Sequence, residues 1–209
     1  MKKFLIMLLA FCLVTPAINA QNKELQKQQK KEYKKKMKEY KAEGWKLFGS
    51  TRSLDVALLT HYDKLNTLGD DAVEVVGIAS KFQSKNVGKQ MAFNNACITY
   101  AQSAGSSVKG RIVSDLFGNG IDADTEIDKF YAAYERLVEK EIKGEIMESF
   151  SIIHEISSGL YEMQTYFIVS ESAASKARIR AFENAAKESA AAQKYANKIS
   201  EFVREGFKK

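Results

Sequence analysis

The sequence predicts an α+β fold built on a small, mainly antiparallel sheet. Three observations predict it. Val73–Gln83 is an apolar run of strand character, and a helix rich in small residues follows closely, carrying Met91, Ala92, Phe93, Ala96, Cys97, Ile98, Tyr100, Ala101 and Ala104. Glu145–Ile156 and Leu160–Ser170 flank Ser157-Ser-Gly159 and read as a hairpin with a short Gly-containing loop. Most of the remaining apolar residues recur at helical spacing. Strands are expected near 45–48, 73–83, 145–156 and 160–170, and helices near 53–68, 88–105 and 125–143. A long helix over 171–206 closes the chain, and a basic helical arm over 22–43 precedes the domain.

The first twenty residues carry an export signal. Lys2 and Lys3 precede an apolar run from Phe4 to Val14, and Ala17-Ile-Asn-Ala20 offers a cleavage site before Gln21. The run is well short of the ~20 residues that span a bilayer, which favours a cleaved signal over an anchor. Cys12 is preceded by Phe11 and lies inside the run, which argues against lipidation. Cleavage leaves Cys97 as the only cysteine and forbids an intramolecular disulfide. The expected location is the periplasm or cell envelope, in soluble form. The net charge is +6 over 209 residues.

Residues 21–43 are dominated by Lys, Gln and Glu, and nothing breaks a helix before Gly44. Leu25, Tyr33, Met37 and Tyr40 form a thin apolar stripe. The bland reading is a solvated helix. The functional reading is a surface that seeks an anionic partner through Lys27, Lys30, Lys31, Lys34, Lys35, Lys36, Lys38 and Lys41, with Glu24, Glu32, Glu39 and Glu43 diluting the field. Nucleic acid is excluded as the expected partner because an exported protein rarely meets it.

Trp45–Phe48 reads as a short strand, and Ser53 as the N-cap of a helix with Leu54, Ala57, Leu58, His61, Leu65 and Leu68 on one face. His61 has no second ligand at metal-binding spacing and reads as a core histidine. The central strand is expected to place Val73 and Val75 on one side and Val76, Ile78 and Phe82 on the other. Ser84–Gly88 lacks the glycines and the Gly-Lys-Ser/Thr ending of a phosphate loop. Cys97 lies mid-helix without a histidine partner and reads as packing, not as a nucleophile.

Gly105–Asp124 is expected to be irregular. Asp115, Asn119, Gly120 and Glu126 match positions 1, 5, 6 and 12 of a calcium loop, but Phe117 stands where an oxygen ligand belongs and the hydrophobic Ile121 falls one place early, so the match is partial. Asp124 or Thr125 caps a helix carrying Ile127, Phe130, Tyr131, Tyr134, Leu137, Val138 and Ile142, and Lys143-Gly144 stops it. In the hairpin, Ile146, Phe150, Ile152, His154 and Ile156 share one parity, and Tyr161, Met163, Thr165, Phe167 and Val169 share another. His154 has no catalytic role in this reading. The last helix carries a narrow seam of Ala174, Ala177, Ala181, Ala185, Ala192, Tyr195, Ile199 and Phe202, suited to close packing on the sheet and on the arm.

The order strand, Ala-rich helix, loop, second helix ending at Gly144, then hairpin resembles the bacterial twenty-kilodalton surface lipoprotein (LPP-twenty) domain family. The residues that carry the resemblance are Val75-Val-Gly-Ile-Ala, Ala92, Ala96 and Ala101, Glu141-Ile-Lys-Gly144 before Phe150, and Gly159–Val169. The resemblance spans about Val73–Val169 and implies a fold similar to the amino-terminal domains of TolB and of a flagellar assembly protein. It brings no catalytic residues, and the absence of a lipobox means that no lipid anchor is carried over. The expected function is that of a non-enzymatic envelope protein, without cofactor or resident metal, acting in assembly or protein interaction. Binding of anionic lipid or polysaccharide through the lysine arm is the alternative.

Overall fold

A computed structural model describes residues 27–112, 125–187, 193 and 196–206. The chain divides between Trp45 and Lys46 into two units. The first contains helix α1, residues 27–42. The second contains β1 (Lys46–Phe48), α2 (Leu54–Leu68), β2 (Ala72–Phe82), α3 (Lys85–Ile112), α4 (Thr125–Ile142), β3 (Met147–Ser157), β4 (Leu160–Ser170), α5 (Glu171–Ala186) and α6 (Ala196–Glu205). The class is α+β: one antiparallel four-stranded sheet in the order β1-β3-β4-β2, with helices on both faces.

The closest helix-to-sheet approach explains the central unit. A Cβ on Gly77 would stand 1.8 Å from the Ala92 carbonyl oxygen and 3.0 Å from the Ala96 methyl carbon. Only a glycine strand residue facing an alanine strip lets α3 lie this near β2. Gly88 has a similar role, because a Cβ there would meet the Phe82 ring at 2.3 Å. Its glycine serves packing, in keeping with the rejected phosphate loop.

Three bulges, at Lys81 in β2 and at Ser149 and Ile156 in β3, redistribute side chains that simple alternation would assign elsewhere. Ser80 pairs with Glu162 but Phe82 with Tyr161, so Lys81 is extra, and it takes φ of 59°. The extra residue turns Phe82 to the α3 face, where it packs with Ala79, Ala92, Ile153 and Met163. The expectation that Phe82 shares a face with Val76 and Ile78 is therefore corrected. In β3, Glu148 pairs with Phe167 and Phe150 with Tyr166, leaving Ser149 unpaired. Ile146 accordingly joins the helical core, whereas Phe150 stacks on Tyr166 at 4.5 Å on the other face. They do not share one side as alternation predicts, and Ile156, the extra residue between Glu155 and Ser157, is exposed and leaves the shared parity as well. The expected parity of β4 holds: Tyr161 and Met163 pack in the cluster of Phe82 and Ala92, and Phe167 and Val169 join the core formed with the helices.

The larger core lies between the sheet and α3–α6, with Val75, Tyr100, Phe130, Tyr134, Val138, Phe167, Phe182 and Phe202 among its members. Phe130 stacks on Tyr134 at 5.9 Å and meets Phe182 edge-on at 6.1 Å. On the opposite face, α2 brings Ala57, Leu58 and His61 into the interior. Its predicted cap is present, since Ser53 Oγ accepts from the Val56 N–H.

Two helix boundaries differ from expectation. Helix α3 runs through Gly105 to Ile112 instead of ending near 105. Packing against α4 carries it past a residue that propensity alone marks as a stop, and Gly105 faces Glu135 there. The unbroken helix over 171–206 is also corrected. Helix α5 ends at Ala186, and α6 lies back along it, with the Arg178 Nε donating to the Val203 carbonyl at 3.1 Å. In one straight helix those residues would stand roughly 37 Å apart. Of the alanine seam, Ala174, Ala177, Ala181 and Ala185 are fully buried, whereas Ala192 and Tyr195 lie outside the described residues.

Candidate functional site

The lysine arm is the expected binding surface, and its helix sorts charge by face. At about 100° per residue, Lys27, Lys30, Lys31, Lys34, Lys38 and Lys41 fall within an arc of roughly 100°, with Lys35 at its margin. All seven are exposed. Lys36 falls on the far side of the helix. Glu32 and Glu39 lie together outside the lysine arc, so they dilute the basic field less than the linear sequence suggests. The result is an uninterrupted strip about 21 Å long.

The end of α1 is built by its own residues. Gly44 has φ of 75°, the Trp45 N–H returns to the Tyr40 carbonyl at 2.9 Å, and the Gly44 N–H reaches the Lys41 carbonyl at 3.4 Å. This paired closure is a Schellman cap, and its usual apolar contact is made by the Tyr40 and Trp45 rings at 6.5 Å. The Trp45 indole N–H donates to Glu43 at 2.8 Å. Gly44 thus stops the arm as its sequence predicts.

The other expected positions are resolved by packing. His61 is buried, its Nε2 lies 3.4 Å from Glu74, and Phe150 and Tyr166 meet its ring edge-on at 5.3 and 5.7 Å. This is the core histidine expected. His154 is largely covered and lies 3.8 Å from Glu162. Cys97 is fully buried, and burial pushes its thiol up to about 11. It is a packed hydrophobe, not a thiolate. Of the partial calcium loop, Asp115 and Asn119 lie outside the described residues, and Glu126 is placed in the first turn of α4. Among the described residues no group of three or more His, Cys, Asp or Glu side chains could hold a metal.

Sequence reasoning missed the buried Arg178. Its guanidinium is 1% exposed, donating to Tyr100 at 2.6 Å, to Glu171 at 2.5 Å and to the Val203 carbonyl. Burial opposes its charge, but the bond to Glu171 and the contacts with Tyr100 outweigh it and hold the group above its ordinary value. One cation thereby ties α3, α5 and α6 together. A signal was present: Arg178 occurs at helical spacing with Ala174, Ala181 and Ala185, on a seam that is otherwise buried alanine. Arg180 likewise joins α5 to the end of α4 through Glu141 at 2.6 Å and Glu145 at 2.8 Å. No protein-family model and no curated protein matches the chain.

Proposed function

We propose that the protein is an exported, non-enzymatic binding protein of the bacterial cell envelope. Its α+β body acts as the scaffold, and the lysine strip of α1 engages an acidic surface on a partner protein. The observation that carries this reading is the segregation of lysines from glutamates on α1. The signal pattern of the first twenty residues supports export. Among the described residues no helix is long and apolar enough to cross a membrane. The pattern resemblance to the LPP-twenty domain agrees with a role in assembly.

The test compares the full chain with a Lys30/Lys34/Lys38/Lys41→Gln variant in pull-downs from envelope fractions. Partners should be retained by the parent near 0.1 M salt, where charges are screened over ~10 Å, and lost from the variant or at high salt. Equal recovery by both proteins overturns the reading. The same acid-free strip also supports a second reading, attachment to anionic lipid or polysaccharide. Salt-sensitive sedimentation with anionic vesicles, without a protein partner in the pull-down, would favour that alternative.

A further inference from the structure

Where β1 ends, the sheet leaves a polar cavity. Strand β1 pairs only with Ser151–Ile153, whereas β3 continues to Met147 with no described strand beside it on that edge. The space of about 300 Å³ there is lined by Phe48, Gly49 and Arg52 before α2, by Thr60 of α2, and by Glu148 and Ser149 of β3 among others. This volume stands at the lower end of small-ligand sites. The bulge at Ser149 interrupts the ladder at this point, and bulges commonly re-aim side chains beside binding sites.

The lining offers one buried group without a partner and one exposed cation. The Ser149 hydroxyl oxygen is buried and has no hydrogen-bond partner among the described residues, a costly arrangement unless something else occupies the space. Arg52 is exposed and makes no ion pair among the described residues. Glu148 is already engaged, by Lys89 at 3.1 Å and by the Ser151 hydroxyl at 2.8 Å. Arg52, Lys89 and Glu148 together leave one positive charge. The other hydroxyls are used: Thr60 donates to the Val56 carbonyl at 2.8 Å, and Ser151 also bonds Thr165 at 2.9 Å.

We propose that this cavity binds a short extended peptide segment carrying a carboxylate. The segment adds along the free edge of β3 in line with β1, bonds Ser149, and places its carboxylate on the Arg52 guanidinium, whose fork matches a carboxylate. Peptide chemistry is favoured over a simple anion because the site joins a strand edge, an unsatisfied hydroxyl and a single net positive charge.

The full chain, labelled with nitrogen-15, is titrated with trialanine as the free acid, with trialanine amide and with acetate. The free acid should shift the amides of Gly49, Arg52 and Ser149–Ser151 saturably at millimolar concentration. The amide should bind about ten-fold more weakly, and R52Q should lose about the same factor with little change in folding. S149A should weaken the free acid with the native spectrum otherwise retained. Three results overturn the proposal: no saturable shift at these residues, equal binding of acid and amide, or acetate binding as tightly as the peptide.

Discussion

Arg178 and the lysines of α1 hold positive charge in opposite ways. Arg178 is sealed in the body and bonded to three groups on three helices, whereas the arm lysines share one exposed strip. A buried cation is tolerated only when its bonds replace the water it has lost. Exposed lysines need no partner for folding, so fold stability does not dictate their arrangement along one side. The contrast separates charge that builds the fold from charge available for binding.

The largest expected effect comes from breaking the buried arrangement. Arg178→Ala leaves Glu171, Tyr100 and the Val203 carbonyl without their donor and should cost about 3–5 kcal/mol in urea unfolding. Next is Gly77→Ala, whose methyl would press on the Ala92 backbone and should cost about 1–3 kcal/mol by the same measurement. Gly44→Ala places a side chain at φ of 75° and should cost the arm about 1 kcal/mol, read as lost helicity by circular dichroism. At the small end, Lys30/Lys34/Lys38/Lys41→Gln should change stability by less than about 0.5 kcal/mol while reducing binding. A large loss of stability there would erase the contrast between the two kinds of charge.

Cys97 extends the comparison to a group kept neutral. Its folded-state thiol titrates near 11 against an ordinary 9.0, so the unfolded chain releases its proton first as pH rises. The stability contributed by the protonated thiol is intact below pH 9 and is lost between about 9 and 11. Cys97→Ala should lower overall stability and remove that part of the pH dependence. The unchanged protein should react slowly with a thiol reagent at neutral pH, and rapid labelling would contradict the packing role.

Several features of the site and fold were legible because they are local. Gly44 after a helical run, Ser53 before one and the alanine strip of α3 each act over a few residues, through a cap or a close approach. The face of each lysine on α1 follows from helical spacing once the helix is granted. The Ser149 cavity was not legible, because β1, α2 and β3 meet there from distant positions in the chain.

By itself, the sequence determined the α+β class, the element order, the β3–β4 hairpin and the core character of His61 and Cys97. These follow from apolar periodicity, turn chemistry and the absence of nearby chemical partners. Only the tertiary structure decided that Phe82 and Phe150 leave the faces alternation assigns them, that α3 passes Gly105, and that Ala196–Glu205 is a separate helix bonded back to α5. Periodicity cannot count the extra residue of a bulge, and propensity cannot weigh a stop signal against packing elsewhere. The return of α6 completes the bonding of Arg178 through the Val203 carbonyl, a partner set by spatial folding and invisible in local spacing.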